Sequence, residues 1–120
     1  MLLTFGEQLR QWRIEARINQ RDLALRVGID HTYLSKIENG RMVPPSETTI
    51  VKLAAELGQS ADILLQLAQK VPMDVRPIIS NSPGLPALLR SIGDFNDEEL
   101  KRLAESAKEI REQRSSYGED

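Results

Sequence analysis

At 120 residues, 40% of them hydrophobic and 28% charged, the chain suffices for one ordinary globular domain, or a compact domain plus a short appendage. With no cysteine, no apolar run near the roughly 18 residues of a membrane span, and no basic-then-apolar leader at Met1–Gly6, a disulfide framework, a thiolate metal site and membrane contact are excluded and a cytoplasmic protein is expected. The net charge of −2 sits in the tail: residues 1–70 carry nine Lys/Arg against eight acids, residues 71–120 seven against ten, so nucleic-acid affinity must rest on a few placed cations and backbone N–H groups.

Helical spacing dominates from the start. Phe5, Leu9, Trp12 and Ile14 are assigned to one side of a first helix over about Thr4 to Arg17, with Thr4 as N-cap. Asn19 caps a second helix with Leu23, Ala24 and Val27 inward, stopped by Gly28. Asp30 caps a third, with Leu34 and Ile37 inward, ending at Asn39-Gly40. Pro44-Pro45 forces a loop. Ser46 caps a fourth helix carrying Ile50, Leu53, Ala54 and Leu57 up to Gly58, and Ser60 a fifth carrying Ile63, Leu64 and Leu67 to about Lys70.

Beyond that the character shifts. Five Pro or Gly residues between Pro72 and Pro86 make residues 71–85 a linker, within which Ile78 and Ile79 suggest a packed turn or two. Leu88, Leu89 and Ile92 form a sixth helix closed by Gly93. Asn96 and Glu99 make a capping box before a seventh, whose Leu100, Leu103, Ala107 and Ile110 form a heptad stripe. Residues 86–114 are therefore read as a helical oligomerisation segment, and 115–120 as a frayed polar tail.

One window carries more than apolar spacing. Two helices crossing through a tight turn need a small residue at the crossing, a residue tolerant of positive φ in the turn, and apolar anchors around both. Ala24, Gly28 and the set Leu23, Val27, Ile29, Leu34 and Ile37 meet those demands within residues 20–38. A generic five-helix bundle would share the apolar spacing but has no reason for Ala24, Gly28 and the short turn together.

These residues, with Leu9-Arg10-Gln11-Trp12-Arg13, Asn19-Gln20 and Tyr33 through Arg41, resemble the Cro/lambda-repressor (XRE) type of helix-turn-helix transcriptional regulator over about Thr4 to Leu67. The resemblance implies an all-α architecture: a five-helix lambda-repressor-like domain over 1–70, followed here by the C-terminal helical dimerisation segment. It further implies a dimer on a two-fold double-stranded DNA operator, no enzymatic activity and no cofactor. The third helix would then lie in the major groove and offer His31, Thr32 and Lys36 to base edges. Tyr33, Ser35, Asn39, the Gly40 N–H and Arg41 would gather phosphate contacts. Gln20 resembles the family glutamine that lies against the DNA backbone and props the recognition helix. Arg13 and Glu38 resemble the family's internal salt bridge, which explains an acid so close to DNA.

The plainer readings differ residue by residue. His31 is the only histidine, too few for a catalytic dyad or a metal site, and none is expected. Lys36 and Arg41 have the alternative of being solvated surface cations. Trp12 reads as core rather than a base-stacking platform, and Glu98-Glu99 as first-turn acids that complement the helix dipole.

Two functions from different classes share this domain. One is a homodimeric repressor or autoregulator held by Leu88, Leu89, Ile92, Leu100, Leu103, Ala107 and Ile110. The other is an antitoxin whose C-terminal helices grip a toxin. The stripe has a third option, folding back on Leu88, Leu89 and Ile92 of its own chain. Some repressors of this resemblance are also inactivated by a partner metallopeptidase, which an exposed linker would permit.

Overall fold

The computed structural model describes residues 3–116. Its helices start where the caps stand. The Thr4 hydroxyl accepts the Glu7 N–H and the Glu7 carboxylate accepts the Thr4 N–H, a reciprocal box that opens α1, Phe5–Glu15. Asn19 accepts from Asp22 N–H to open α2, Gln20–Val27, and Asp30 opens α3, His31–Glu38. Ser46 opens α4, Glu47–Leu57, through the Thr49 N–H. Before α5, Ala61–Leu67, Ser60 makes no side-chain cap bond. Gly28 and Gly58 end α2 and α4 in the left-handed region, at φ 76° and 66°, where a side chain costs about 1 kcal/mol.

The chain divides into two compact units, Met1–Arg76 and Pro77–Asp120. In the first, α2 packs on α3 and α4, α4 on α5, and α1 on both α3 and α5. The core so enclosed contains Phe5, Leu9, Trp12, Leu23, Ala24, Val27, Leu34, Ile37, Ile50, Leu53, Ala54, Leu57, Leu64 and Leu65. Each fully buried aliphatic side chain among them contributes roughly 1.5–3 kcal/mol of transfer free energy.

Three expectations for this unit need correction. Ile14 is exposed: it lies two residues past Trp12, about 200° around the helix, so it cannot share the Phe5–Leu9–Trp12 face. In α5 the buried pair is Leu64 and Leu65, while Ile63 faces out. α1 stops at Glu15, because Arg17 turns left-handed (φ 59°) and Ile18 N–H closes back on the Arg13 carbonyl.

The second unit holds α7, Leu85–Ser91, and α8, Asp97–Ser116; α6, Arg76–Asn81, straddles the division. Asn96 and Glu99 form the expected reciprocal cap of α8. α6 occupies part of the stretch read as linker, and α8 continues through Ser115 and Ser116 into the stretch read as tail; the remainder of that tail lies outside the described residues. Among the described residues of this unit none is buried; Ile79, Leu85, Ile92, Phe95 and Leu103 are half-buried.

Candidate nucleic-acid interface

The geometry of α3 starts with what lies behind it. Leu34 and Ile37 are buried on its inner face, and Glu38 ends that face at 5% exposure. A carboxylate so buried requires a partner with matching donors, because desolvation costs it several kcal/mol. Arg13 supplies them as a fork: Nε to Oε2 at 2.7 Å and Nη2 to Oε1 at 2.9 Å. The remaining guanidinium nitrogen, Nη1, donates to the Ile18 carbonyl at 3.0 Å, so one side chain joins α1, the α1–α2 loop and the end of α3.

Gln20 completes the network. Its Nε2 donates to Glu38 Oε1 at 3.0 Å, tying the first residue of α2 to the last of α3. This bond uses one of the two N–H donors of the Gln20 amide.

The same end of α3 is held by a residue the sequence reading passed over. Gly6 lies in the first turn of α1 against the last turn of α3; a Cβ there would meet the Ile37 carbonyl oxygen, and the Glu38 carbonyl oxygen at 2.6 Å. Only a glycine lets α1 come this close. A glycine inside an otherwise well-capped helix was the available signal.

The turn into α3 is equally determined. Ile29 N–H donates to the Ala24 carbonyl at 3.0 Å across left-handed Gly28. The Asp30 carboxylate then accepts from Thr32 N–H (2.9 Å) and Tyr33 N–H (3.3 Å). Its negative charge is thereby spent on the helix's own orphan donors.

What remains outward is the opposite face. His31 and Thr32 are exposed in the first turn, and Lys36 is exposed one turn beyond Thr32 on the same row. Ser35 and Tyr33 flank them half-buried, with Tyr33 packed against the core. Beyond the helix, Asn39, Gly40 and Arg41 are exposed.

The Gly40 N–H donates to the Ile37 carbonyl at 3.2 Å, and Arg41 N–H to the Lys36 carbonyl at 2.9 Å, where left-handed Gly40 (φ 77°) closes the helix end. The polar groups that this corner presents are the Asn39 amide and the Arg41 guanidinium. Among the described residues no group of three or more His, Asp or Glu could hold a metal ion, and no helix is long and apolar enough to cross a membrane.

The family model for a helix-turn-helix domain matches residues 6–70. An uncharacterized HTH-type transcriptional regulator of Bacillus subtilis (strain 168), RghRB, is 39% identical over 75 residues, 60% of this chain and 54% of that protein. The HTH-type transcriptional repressor RghR of the same organism is 43% identical over 54 residues, 45% of this chain and 40% of that protein. The matched stretch thus spans about half the length of these curated relatives. A solved SinR protein/SinI protein complex shares the fold, with a TM-score of 0.51 at 19% identity over 91% of this chain and 99% of that one.

Proposed function

The chain belongs to the helix-turn-helix domain family, and from that premise we propose that it is a sequence-specific regulator of transcription, a repressor acting as a homodimer on a two-fold operator. The observation that carries the reading is the polarity of α3: its back is anchored by Leu34, Ile37 and the Arg13–Glu38–Gln20 network, while His31, Thr32 and Lys36 stand free on its front. A helix held rigidly from behind, with free donors in its first turns, is what major-groove readout needs.

In this reading Lys36 donates to guanine O6/N7, His31 and Thr32 sort neighbouring base pairs, and Arg41 with Asn39 grips phosphate. The names of the relatives, a regulator and a repressor, support the same function. The dimer is supported by the second unit, where Leu88, Leu89, Leu100 and Ile110 are 41–61% exposed in the single chain. A segment of about forty residues without disulfides seldom buries a core of its own, and a second copy would cover those side chains.

Footprinting and salt titration test it. Lys36→Ala or His31→Ala is expected to cost roughly 1–3 kcal/mol at the specific site and relax base preference there. Arg41→Ala is expected to weaken all sequences alike and lower the salt slope by about 1. A changed base preference with Arg41→Ala, but not with Lys36→Ala, would reverse the assigned faces. A full chain that sediments as a monomer at tens of micromolar would remove the homodimer and turn the stripe toward a different partner, such as a toxin.

A further inference from the structure

Glu47 looks like an ordinary first-turn acid of α4, yet its carboxylate is committed to the segment that follows α5. Oε2 accepts the Met73 N–H at 3.0 Å, and Oε1 lies 3.8 Å from Nη2 of Arg76. Arg76 is itself held, its Nε donating to the Val71 carbonyl at 3.0 Å. Val75 and Arg76 N–H both return to the Pro72 carbonyl, closing the segment into a tight turn. Oε1 is buried and accepts no hydrogen bond. A desolvated carboxylate oxygen of that kind is costly unless a cation stands nearby, and Arg76 is that cation. Met73 is 64% exposed, so its side chain adds little to what the Glu47 carboxylate, the Arg76 guanidinium and the segment's own backbone hold.

We propose that Glu47 determines which half-site spacing the protein reads, by making Val71–Arg76 a fixed part of the DNA-reading unit; the proposal rests on the dimeric DNA-reading function above. Were all of residues 71–85 a free tether, its root-mean-square span would be roughly 20 Å and would accommodate several spacings alike. With the chain clasped as far as Arg76, and α6 taking the next residues to Asn81, only Ser82, Pro83 and Gly84 lie outside helix before α7. A connection with fewer free residues narrows the range of separations over which the second recognition helix is kept at high effective concentration. Each base pair inserted between half-sites moves them about 3.4 Å apart along the duplex and rotates them around it.

The probe is duplex DNA enriched from a random pool by the full-length chain, then remade with one or two base pairs inserted or deleted between half-sites. The unaltered chain is expected to lose about tenfold or more in affinity per altered spacing; Glu47→Ala and Arg76→Ala are expected to lose less than about threefold, while all bind an isolated half-site alike. Amide exchange reads the clasp directly: Met73 N–H is expected to be protected in the unaltered chain and in Glu47→Gln, which keeps the acceptor, and to exchange freely in Glu47→Ala. Equal spacing profiles, or Met73 protection that survives Glu47→Ala, overturn the proposal while leaving DNA reading intact. Enrichment of no sequence, or of a single half-site only, overturns the dimeric operator reading and this proposal with it.

Discussion

The two units of this chain are written in similar helical language and end in opposite states. Leu9, Leu23, Leu34, Leu53 and Leu64 of the first are wholly buried, whereas Leu88, Leu89 and Leu100 of the second are more than 40% exposed. Intrinsic helix propensity does not explain the contrast, since α8 is the longest helix in the described residues and carries a complete cap. Partner surface does. Five helices of 7–11 residues can turn their apolar sides toward one centre, and each supplies the wall the others need. The second unit has one narrow stripe and a few apolar residues in α7, too little for a core of its own.

The strongest way to break that contrast is to separate the units. A chain ending after Arg76, which keeps the Glu47 clasp, is expected to unfold cooperatively as a monomer and to bind the full operator about 10²–10⁴-fold more weakly. Sedimentation and operator titration decide it, and a fragment that remains dimeric would falsify the assignment of assembly to the second unit.

The next probe stays inside the first unit. Removing either Arg13 or Glu38 strands a buried charge and is expected to cost about 3–5 kcal/mol in urea melts. The double replacement should cost much less than the two singles together. Additive losses would mean that the fork at 2.7 and 2.9 Å is an incidental contact.

Gly6→Ala sharpens the point further. The added methyl meets backbone oxygens of Ile37 and Glu38, which cannot rotate away, so α1 and α3 must part, at about 1–3 kcal/mol. Because α3 would move, operator affinity should fall as well. A variant with full stability and full affinity would show that α1 does not set the position of α3.

The smallest effect lies in the α1 cap. The Thr4 N–H, aided by the Thr4 hydroxyl, holds the exposed Glu7 carboxyl below its ordinary value of 4.5. A depressed folded value means that the ionised cap adds stability above about pH 4.5 and loses it as pH falls through the folded value. Glu7→Gln is expected to lower stability slightly at neutral pH, where the carboxylate is ionised, and to leave the acid end almost unaffected, which flattens that limb of the curve. A limb unchanged by the replacement would show that the box does not persist in solution.

The helix-turn-helix was legible because its demands are local. The left-handed turn at Gly28, the cap at Asp30 and the small crossing residue Ala24 follow from backbone geometry within a few positions. Ile14 falls off the inner face because the 100° step carries it about 200° past Trp12, whereas Ile63 stands only about 40° from Leu67, and it is the seating of Leu64 and Leu65 in the core that leaves it outward. The Arg13–Glu38 pair came from family resemblance, since nothing local announces a contact across 25 residues.

By itself, then, the sequence determined the caps at Asn19, Asp30 and Ser46, the stops at Gly28 and Gly58, and the inward side of α3 at Leu34 and Ile37, all consequences of dihedral preference and helical period; the end of α1 and the helix α6 escaped it. The tertiary structure alone decided three further matters: that Gly6 is a contact point, that the Gly40 N–H is already engaged, and that Glu47 holds the chain after α5. Each depends on where a backbone group distant along the chain, or a turn closing on itself, comes to rest. A pattern of residue types carries no record of that distance until packing brings the groups together.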